Sequence, residues 1–354
     1  MNPPAPSIHG LFPEELAEAH GLKAFQGRQL FEWLHAHRAS DFESMTSLPR
    51  ALRAQLAETA RLDTAVPVRS QLSPASGTVK TLFRLRDGET VESVLIRDGE
   101  RVTVCVSSQA GCPLKCSFCA TGAAGYRRNL EAGEITAQVI CMLREGNVPN
   151  EASPNIVYMG MGEPFYNYDA VVRSIRLLMH PGGLAVGARR ITVSTAGDVK
   201  GIAAFAAEDW QVRLSVSLHA ANDALRSELV PLNRRYPLEK LREAVMDYNR
   251  RTGRQITFEW TLLADVNDGP EQARELAAFL RRLKAIVNLI PWNPVPGLPH
   301  APATKKRCEA FQQMLEKAGV KATLRREKGG DIDAACGQLR GVVEDEGRSG
   351  AAEA

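Results

Sequence analysis

The sequence lacks a long apolar run. No stretch of about eighteen apolar residues, the length a membrane-spanning helix needs, occurs in its 354 residues, so a membrane span is not expected. It also lacks a strong charge of either sign. Lys and Arg number 44 against 41 Asp and Glu, a formal net charge of +3. That balance permits acidic substrates without demanding a nucleic-acid partner. The opening MNPPAPSIHG has no basic stretch followed by an apolar one, so a secretory leader is not expected and a cytoplasmic location is. With no sign of an oxidising compartment, the seven cysteines do not read as a disulfide scaffold. A hydrophobic content of 44% with 24% charged residues is that of a folded soluble chain, long enough for two or so domains and a large core.

Residues 1–60 read as a helical N-terminal domain. FPEELAEAHGLKAFQGRQLFEWLHAHR carries apolar positions at helical spacing, interrupted by Gly21 and Gly27. Ser40 or Asp41 is placed to cap a further short helix through DFESMTSLP, and Phe25, Phe31 and Trp33 are assigned to the core. Residues 61–99 form a small β linker region, in which GTVKTLFRLRDG and ETVESVLIRDG alternate and end in Asp-Gly turns. From residue 100 to 342 strands and helices alternate. The expected strands are RVTVCVSS, NIVYMG, RRITVST, VRLSVSLH, QITFEWTLL, AIVNLIPW and VKATLRRE. The expected helices are LEAGEITAQVICMLREG, YDAVVRSIRLLMH, LEKLREAVMDYNRR, PEQARELAAFLRRLK and TKKRCEAFQQMLEKAG. This alternation implies an α/β fold, with a parallel sheet covered by helices, either a partial barrel or a doubly wound sheet. In both, ligands sit at the C-terminal strand ends, where cysteines, GEP, STAG, SLHA and WNP are found. Residues 343–354 read as a disordered tail.

Four of the seven cysteines fall in CVSSQAGCPLKCSFCATG. Cys112, Cys116 and Cys119 have the spacing Cys-x3-Cys-x2-Cys, which suits three corners of an iron–sulfur cubane with one iron left open. Zinc competes, but a structural zinc site needs four protein ligands and no histidine lies nearby. Gly111, Gly122 and Gly125 around the loop permit close backbone approach. Cys141 and Cys308 fall in predicted helices and read as packing residues.

CVSSQAGCPLKCSFCATG, YMGMGEP, RRITVSTAG, SLHAANDALRSELVPLN, NLIPWNPVPG and GGDIDAACGQL together resemble the radical S-adenosylmethionine superfamily. More closely, they resemble its dual-specificity ribosomal and transfer RNA adenine C2-methyltransferases, over roughly residues 25–342. The resemblance implies a partial (β/α)6-type barrel with a small helical N-terminal domain and a short antiparallel linker sheet. It implies that Cys112, Cys116 and Cys119 ligate a [4Fe-4S] cluster. It further implies that Gly162, Glu163, Ser194, Ser217, Leu218, His219 and Asn293 bind S-adenosylmethionine.

The two outer cysteines acquire roles only through that resemblance. It implies that Cys336 is methylated on sulfur and delivers the carbon to adenine after radical abstraction. Glu92 then removes the C2 proton, and Cys105 releases the product by forming a disulfide with Cys336. The implied substrates are adenines of the 2503 type in 23S ribosomal RNA and of the 37 type in transfer RNA, and the implied partner is a flavodoxin-type electron donor. Arg127, Arg128, Lys305, Lys306, Arg307, Arg325, Arg326 and Lys328 are candidate backbone contacts for RNA. Three other readings compete: a related adenine C8 methyltransferase, a non-catalytic iron–sulfur RNA-binding protein, and a radical enzyme acting on a small metabolite.

Overall fold

The computed structural model describes residues 7–62, 64–325 and 328–341. Arg326 and the 343–354 tail therefore lie outside the described residues. Three helices open the chain: α1 (Pro13–Ala19), α2 (Ala24–His35) and α3 (Arg50–Thr59). Pro13 starts α1 where its missing N–H costs nothing, and the Glu15 carboxylate accepts from Phe12 N at 2.7 Å to cap the same turn. Leu16, Leu30, Phe31, Leu34, Met45 and Leu56 close a separate apolar cluster that also takes in Ala132 and Leu177 of the main body.

Two expectations for this region are corrected. DFESMTSLP forms turns rather than a helix, because the Asp41 carboxylate accepts from Ser44 N at 2.7 Å and folds the chain locally. Phe25 is 48% exposed on the outer side of α2, whereas Phe31 is buried and Trp33 is half-buried, with Nε1 donating to Ser47 Oγ at 2.7 Å.

The remaining elements follow in chain order: β1 (Ala65–Leu72), β2 (Val79–Leu85), β3 (Thr90–Asp98), β4 (Arg101–Cys105), β5 (Gln109–Gly111), α4 (Ala120–Ala124), β6 (Tyr126–Asn129), α5 (Ala132–Glu145), β7 (Asn155–Tyr158) and α6 (Tyr168–Met179). Then come β8 (Ile191–Thr195), α7 (Val199–Ala207), β9 (Arg213–Ser217), α8 (Asp223–Leu229), α9 (Leu238–Thr252), β10 (Ile256–Leu262), α10 (Pro270–Phe279), β11 (Ala285–Pro291), α11 (Lys305–Lys317) and β12 (Ala322–Leu324).

Ten strands form one sheet in the order β1-β2-β3-β4-β7-β8-β9-β10-β11-β12, and β5 pairs with β6 apart from it. From β4 onward every neighbour is parallel, while β1 to β4 run antiparallel. The fold is thus an α/β partial barrel, and its antiparallel strands extend the barrel sheet itself. The reason is local: β3 and β4 are joined through Asp98-Gly99, with Gly99 at φ +58°, so β4 has β3 on one side and β7 on the other. Val104, Ile156, Val193, Val216, Phe258 and Leu289 are fully buried in the sheet, each worth roughly 1.5–3 kcal/mol of apolar burial.

Candidate active site

The cysteine loop leaves β5 and ends on α4. Gly111, at φ +74°, starts it; an added Cβ would stand 1.8 Å from the Gly125 carbonyl oxygen, so only glycine fits there. Cys112 N donates to that same oxygen at 3.0 Å, Ser117 N to Leu229 O at 3.1 Å and Cys119 N to Cys116 O at 3.2 Å. The three cysteines are half-buried free thiols, packed with Leu114, Phe118, Ala120 and Trp292. Burial pushes the Cys112 thiol up to about 12 and holds Cys116 well above the ordinary range, and the neighbouring cysteines add to both. Thiolates gathered there need a cationic centre to hold them. Among the described residues no three His, Cys, Asp or Glu side chains lie close enough to share one ion. Three soft donors on one loop fit three corners of a [4Fe-4S] cluster, whose usual protein ligands are cysteine thiolates.

The strand ends form the adjoining wall. Gly162 has φ +105° and lies against Gln109, whose Oε1 accepts from Glu163 N at 2.8 Å. The Glu163 carboxylate accepts from Ala196 N at 2.7 Å and Phe165 N at 3.1 Å, yet burial still pushes it up to about 7. Ser194 lies on β8 and Ser217 ends β9, while Leu218 N donates to Glu259 O at 3.0 Å. His219 takes φ +59°, a conformation rare for residues with a side chain. Its Nδ1 accepts from Thr261 N at 2.9 Å, which puts the proton of the neutral ring on Nε2. Burial, aided by Arg226, lowers it to about 3, and its ring meets Phe118 edge-on at 4.5 Å. Asn293 is buried just beyond β11.

Arg226 was not singled out from sequence. Fully buried on α8, it donates to Leu218 O at 3.1 Å, Ala196 O at 2.7 Å, Ser217 O at 3.3 Å and Asn233 Oδ1 at 2.9 Å. It ties together the turns after β8 and β9. The available signal was a charged residue three positions before buried Leu229, at a core position of an amphipathic helix.

Cys336 lies in the loop after β12, and that loop is sewn to the cysteine loop. Ala120 N donates to Gly337 O at 2.7 Å and Thr121 Oγ1 to Leu339 O at 2.6 Å. Cys105, buried at the end of β4, is electrostatically coupled to Cys336, and burial pushes its thiol up to about 12. All seven cysteines are free, so the disulfide expected between Cys105 and Cys336 is corrected. Cys336 Sγ instead receives a hydrogen bond from Arg325 Nη1 at 3.3 Å. Glu92 is buried and fully engaged: Oε2 accepts from Arg340 N at 2.6 Å and Gly341 N at 3.0 Å, and Oε1 lies 3.2 Å from Lys80 Nζ.

Most of the candidate RNA-contact cations already have protein partners. Arg128 is clamped by Asp87 and by Glu134 at 2.8 Å, Arg307 by Asp265 and Asp268, and Lys328 by Asp98 at 2.6 Å. Arg325 belongs to the Cys336 site. Lys305 is 3.8 Å from Glu309 and otherwise exposed, as are Arg127 and Lys306. No helix among the described residues is long and apolar enough to cross a membrane.

Residues 106–279 match the Radical SAM superfamily, and residues 14–62 match the ribosomal RNA large subunit methyltransferase N-terminal domain. The "Probable dual-specificity RNA methyltransferase RlmN" of Geobacillus kaustophilus is 47% identical over 341 residues, 96% of this chain and 93% of its own. The protein of the same name from Heliobacterium modesticaldum is 48% identical over 349 residues, covering 96% and 90%. A radical SAM methyltransferase from Sphaerobacter thermophilus, known from its crystal structure, superposes with a TM-score of 0.92 at 48% identity, covering 95% of this chain and all of its own. The chain therefore belongs to the radical SAM superfamily and, within it, to the RlmN family of dual-specificity RNA adenine methyltransferases.

Proposed function

We propose that the protein methylates adenine at C2 in 23S ribosomal RNA and in transfer RNA, with Cys336 carrying the one-carbon unit. The observation that supports this above others is the seam between the Cys336 loop and the residues just after Cys119, made by Ala120 N to Gly337 O at 2.7 Å and Thr121 Oγ1 to Leu339 O at 2.6 Å. A carrier thiol has to stand beside the cofactor loop, and this seam keeps it there.

In this reading Cys112, Cys116 and Cys119 would hold the [4Fe-4S] cluster. Gly162, Glu163, Ser194, Ser217, Leu218, His219 and Asn293 would hold S-adenosylmethionine. Together the bound groups supply the radical chemistry that an electron-poor aromatic carbon requires. The chain's own residues bind, orient and manage protons. Glu163 can accept from an ammonium group, and the neutral His219 ring offers a donor at Nε2. Phe118 and Trp292 exclude water; Trp292 Nε1 donates to Phe118 O at 2.9 Å, which locks the pair. Cys105 keeps its proton beside Cys336. Glu92 is the base, and it must exchange the Arg340 and Gly341 N–H groups for the substrate proton, so base and carrier loop are released together.

Residues 1–60 and 61–99 serve as RNA-facing domain and linker, and 100–342 as the catalytic barrel. Arg127, Lys305 and Lys306 are the cations offered to RNA phosphates. A flavodoxin-type donor supplies electrons, and the cytoplasm is the working compartment.

The test is anaerobic reconstitution with reductant, methyl-labelled S-adenosylmethionine and unmodified 23S ribosomal RNA or transfer RNA, followed by nucleoside mass spectrometry. The expected product is 2-methyladenosine, absent with Cys336→Ala. 8-Methyladenosine would reassign the carbon, and RNA binding with no turnover would refute the enzymatic reading.

A further inference from the structure

One hairpin, β5 with β6, opens and closes the loop that carries the cofactor cysteines. Its two strands are crowded where they meet: a Cβ on Gly111 would stand 3.1 Å from Tyr126 Cα. Arg128 fixes the hairpin to the body, with both Nη atoms donating to the Glu134 carboxylate at 2.8 Å and Nε paired with Asp87. Ala110 faces Arg128 and Gly111 faces Tyr126, so Arg127 is an extra residue with none opposite. A bulge of this kind breaks the in-and-out alternation of a strand and re-aims its side chains. Here Tyr126 and Arg127 are both exposed, although they are consecutive.

A single exposed apolar side chain is ordinary on a protein surface. Tyr126 differs in place, in support and in company. It is 43% exposed, and the other exposed large apolar side chains lie on α2, β1 and α9, none of them on the cysteine loop or its hairpin. Its hydroxyl donates to Asn129 Oδ1 at 3.2 Å, and that oxygen also accepts from Gln109 Nε2 at 2.7 Å. Gln109 Oε1 in turn accepts from Glu163 N at 2.8 Å. The ring is thus tethered at its far end, through two amide side chains, to the strand end that bears Glu163. Among the described residues no other ring or cation lies against it, and Arg127 has no carboxylate partner. A fixed aromatic face beside an unpaired cation is the combination that holds single-stranded nucleic acid, since a base stacks on the ring and the cation meets a phosphate. An adenine drawn out of its stack leaves the bases beside it unstacked as well, so the RNA brings open base faces to this rim.

We propose that Tyr126 is a stacking platform for an unpaired nucleobase of the RNA that flanks the target adenine, with Arg127 on the adjoining phosphate. The proposal rests on the reading of the protein as an RNA methyltransferase. Because the ring is held before RNA arrives, stacking on it costs little ordering.

The test uses the reconstituted holoenzyme and unmodified transfer RNA, with binding read by filter retention and turnover by methyladenosine. Tyr126→Ala should weaken RNA binding and raise KM about tenfold, the size of a lost base stack, with kcat changed by less than about threefold. Tyr126→Phe keeps the ring and should stay within about twofold of the unaltered protein, whereas Tyr126→Leu, apolar but without a π face, should behave as Tyr126→Ala. Arg127→Gln should lower the salt slope of binding by about one. Equal RNA affinity in the unaltered protein and Tyr126→Ala, or Tyr126→Leu binding as well as Tyr126→Phe, would overturn the proposal. The unaltered protein gives a second measurement should Tyr126→Ala fail to fold. Transfer RNA carrying 5-iodouracil at the unpaired positions beside the target links under ultraviolet light, with loss of hydrogen iodide, to an aromatic ring stacked on it. The link is expected on the peptide that contains Tyr126, and links confined to other peptides would sink the idea. Failure of the functional reading shows separately, as an unaltered protein that neither binds nor methylates RNA.

Discussion

Replacing Glu92 with Gln removes one negative charge and leaves the shape nearly unchanged. The carboxylate holds three groups: Lys80 Nζ at 3.2 Å, Arg340 N at 2.6 Å and Gly341 N at 3.0 Å. The Lys80 and Glu92 side chains are only 10% and 7% exposed, so the substitution strands a buried cation, a loss of about 3–5 kcal/mol. The amide oxygen of Gln can keep one N–H bond, weaker than its charge-assisted predecessor. We therefore expect Glu92→Gln to lose about 3 kcal/mol of stability. The amides of Arg340 and Gly341 should exchange about a hundredfold faster, the kinetic equivalent of that energy. Hydrogen exchange read by mass spectrometry over residues 333–341, with a urea melt alongside, makes the measurement. Adding Lys80→Met removes the stranded charge, so the double variant should regain much of the stability without regaining amide protection. Unchanged exchange at 340–341 in Glu92→Gln, or a double variant no more stable than the single one, would refute the reasoning. An inactive Glu92→Gln protein with unchanged exchange would leave the proton-acceptor role standing alone.

Three further outcomes follow from the packing. Gly111→Ala should lose most of its iron on reconstitution, by iron analysis, because its Cβ would stand 1.8 Å from the Gly125 oxygen. Arg226→Met should lose about 3–5 kcal/mol in a denaturant melt through the four hydrogen bonds it removes, and Arg226→Lys should recover little, since an ammonium cannot span the four acceptors. Acid should destabilise the N-terminal region. Burial lowers His9 from 6.5 to about 4 and puts His35 well below 6.5, so between these values the unfolded chain binds protons that the folded one does not. Stability is present above pH 6.5 and falls as pH drops, by about 2 kcal/mol from His9 alone on reaching pH 5. His35, with both ring nitrogens unpartnered and its ring stacked on Phe31 at 4.0 Å, tolerates Phe, so His35→Phe should reduce the pH dependence of urea melts between pH 7.5 and 5 to the part that His9 supplies.

The barrel was legible because strand ends and glycines announce themselves locally. RVTVCVSS, NIVYMG, RRITVST, VRLSVSLH, QITFEWTLL and AIVNLIPW each contain the strand they predicted, from β4 to β11. Helix α7, VKGIAAFAA, is absent from the helices expected from sequence, and it carries Gly201 at its third position. The glycine is there because a Cβ would stand 2.5 Å from the Phe165 ring, a contact made 36 positions away in sequence. The same limit hid the partners of the outer cysteines. Nothing near Cys336 in sequence says that Arg325 will turn inward, and nothing near Glu92 says that its carboxylate will hold a backbone 248 residues further on. Charged side chains show their type in a sequence, but their partners come from tertiary packing. Arg128, Arg307 and Lys328 were candidate RNA contacts by residue type, and the structure pairs each with a carboxylate.

The bond between Glu92 and the backbone of Arg340 also bears on the order in which the chain matures. Contacts of such separation form late, after the loop they close has been shortened by intervening structure. On the ribosome, β3 and the cysteine loop emerge long before residues 333–341, which reach Glu92, Thr90 and Lys80 only when the last strand has been made. An unfinished chain thus exposes its cofactor loop with no second thiol docked beside it, and the closing contact of folding is the one that completes the reactive site.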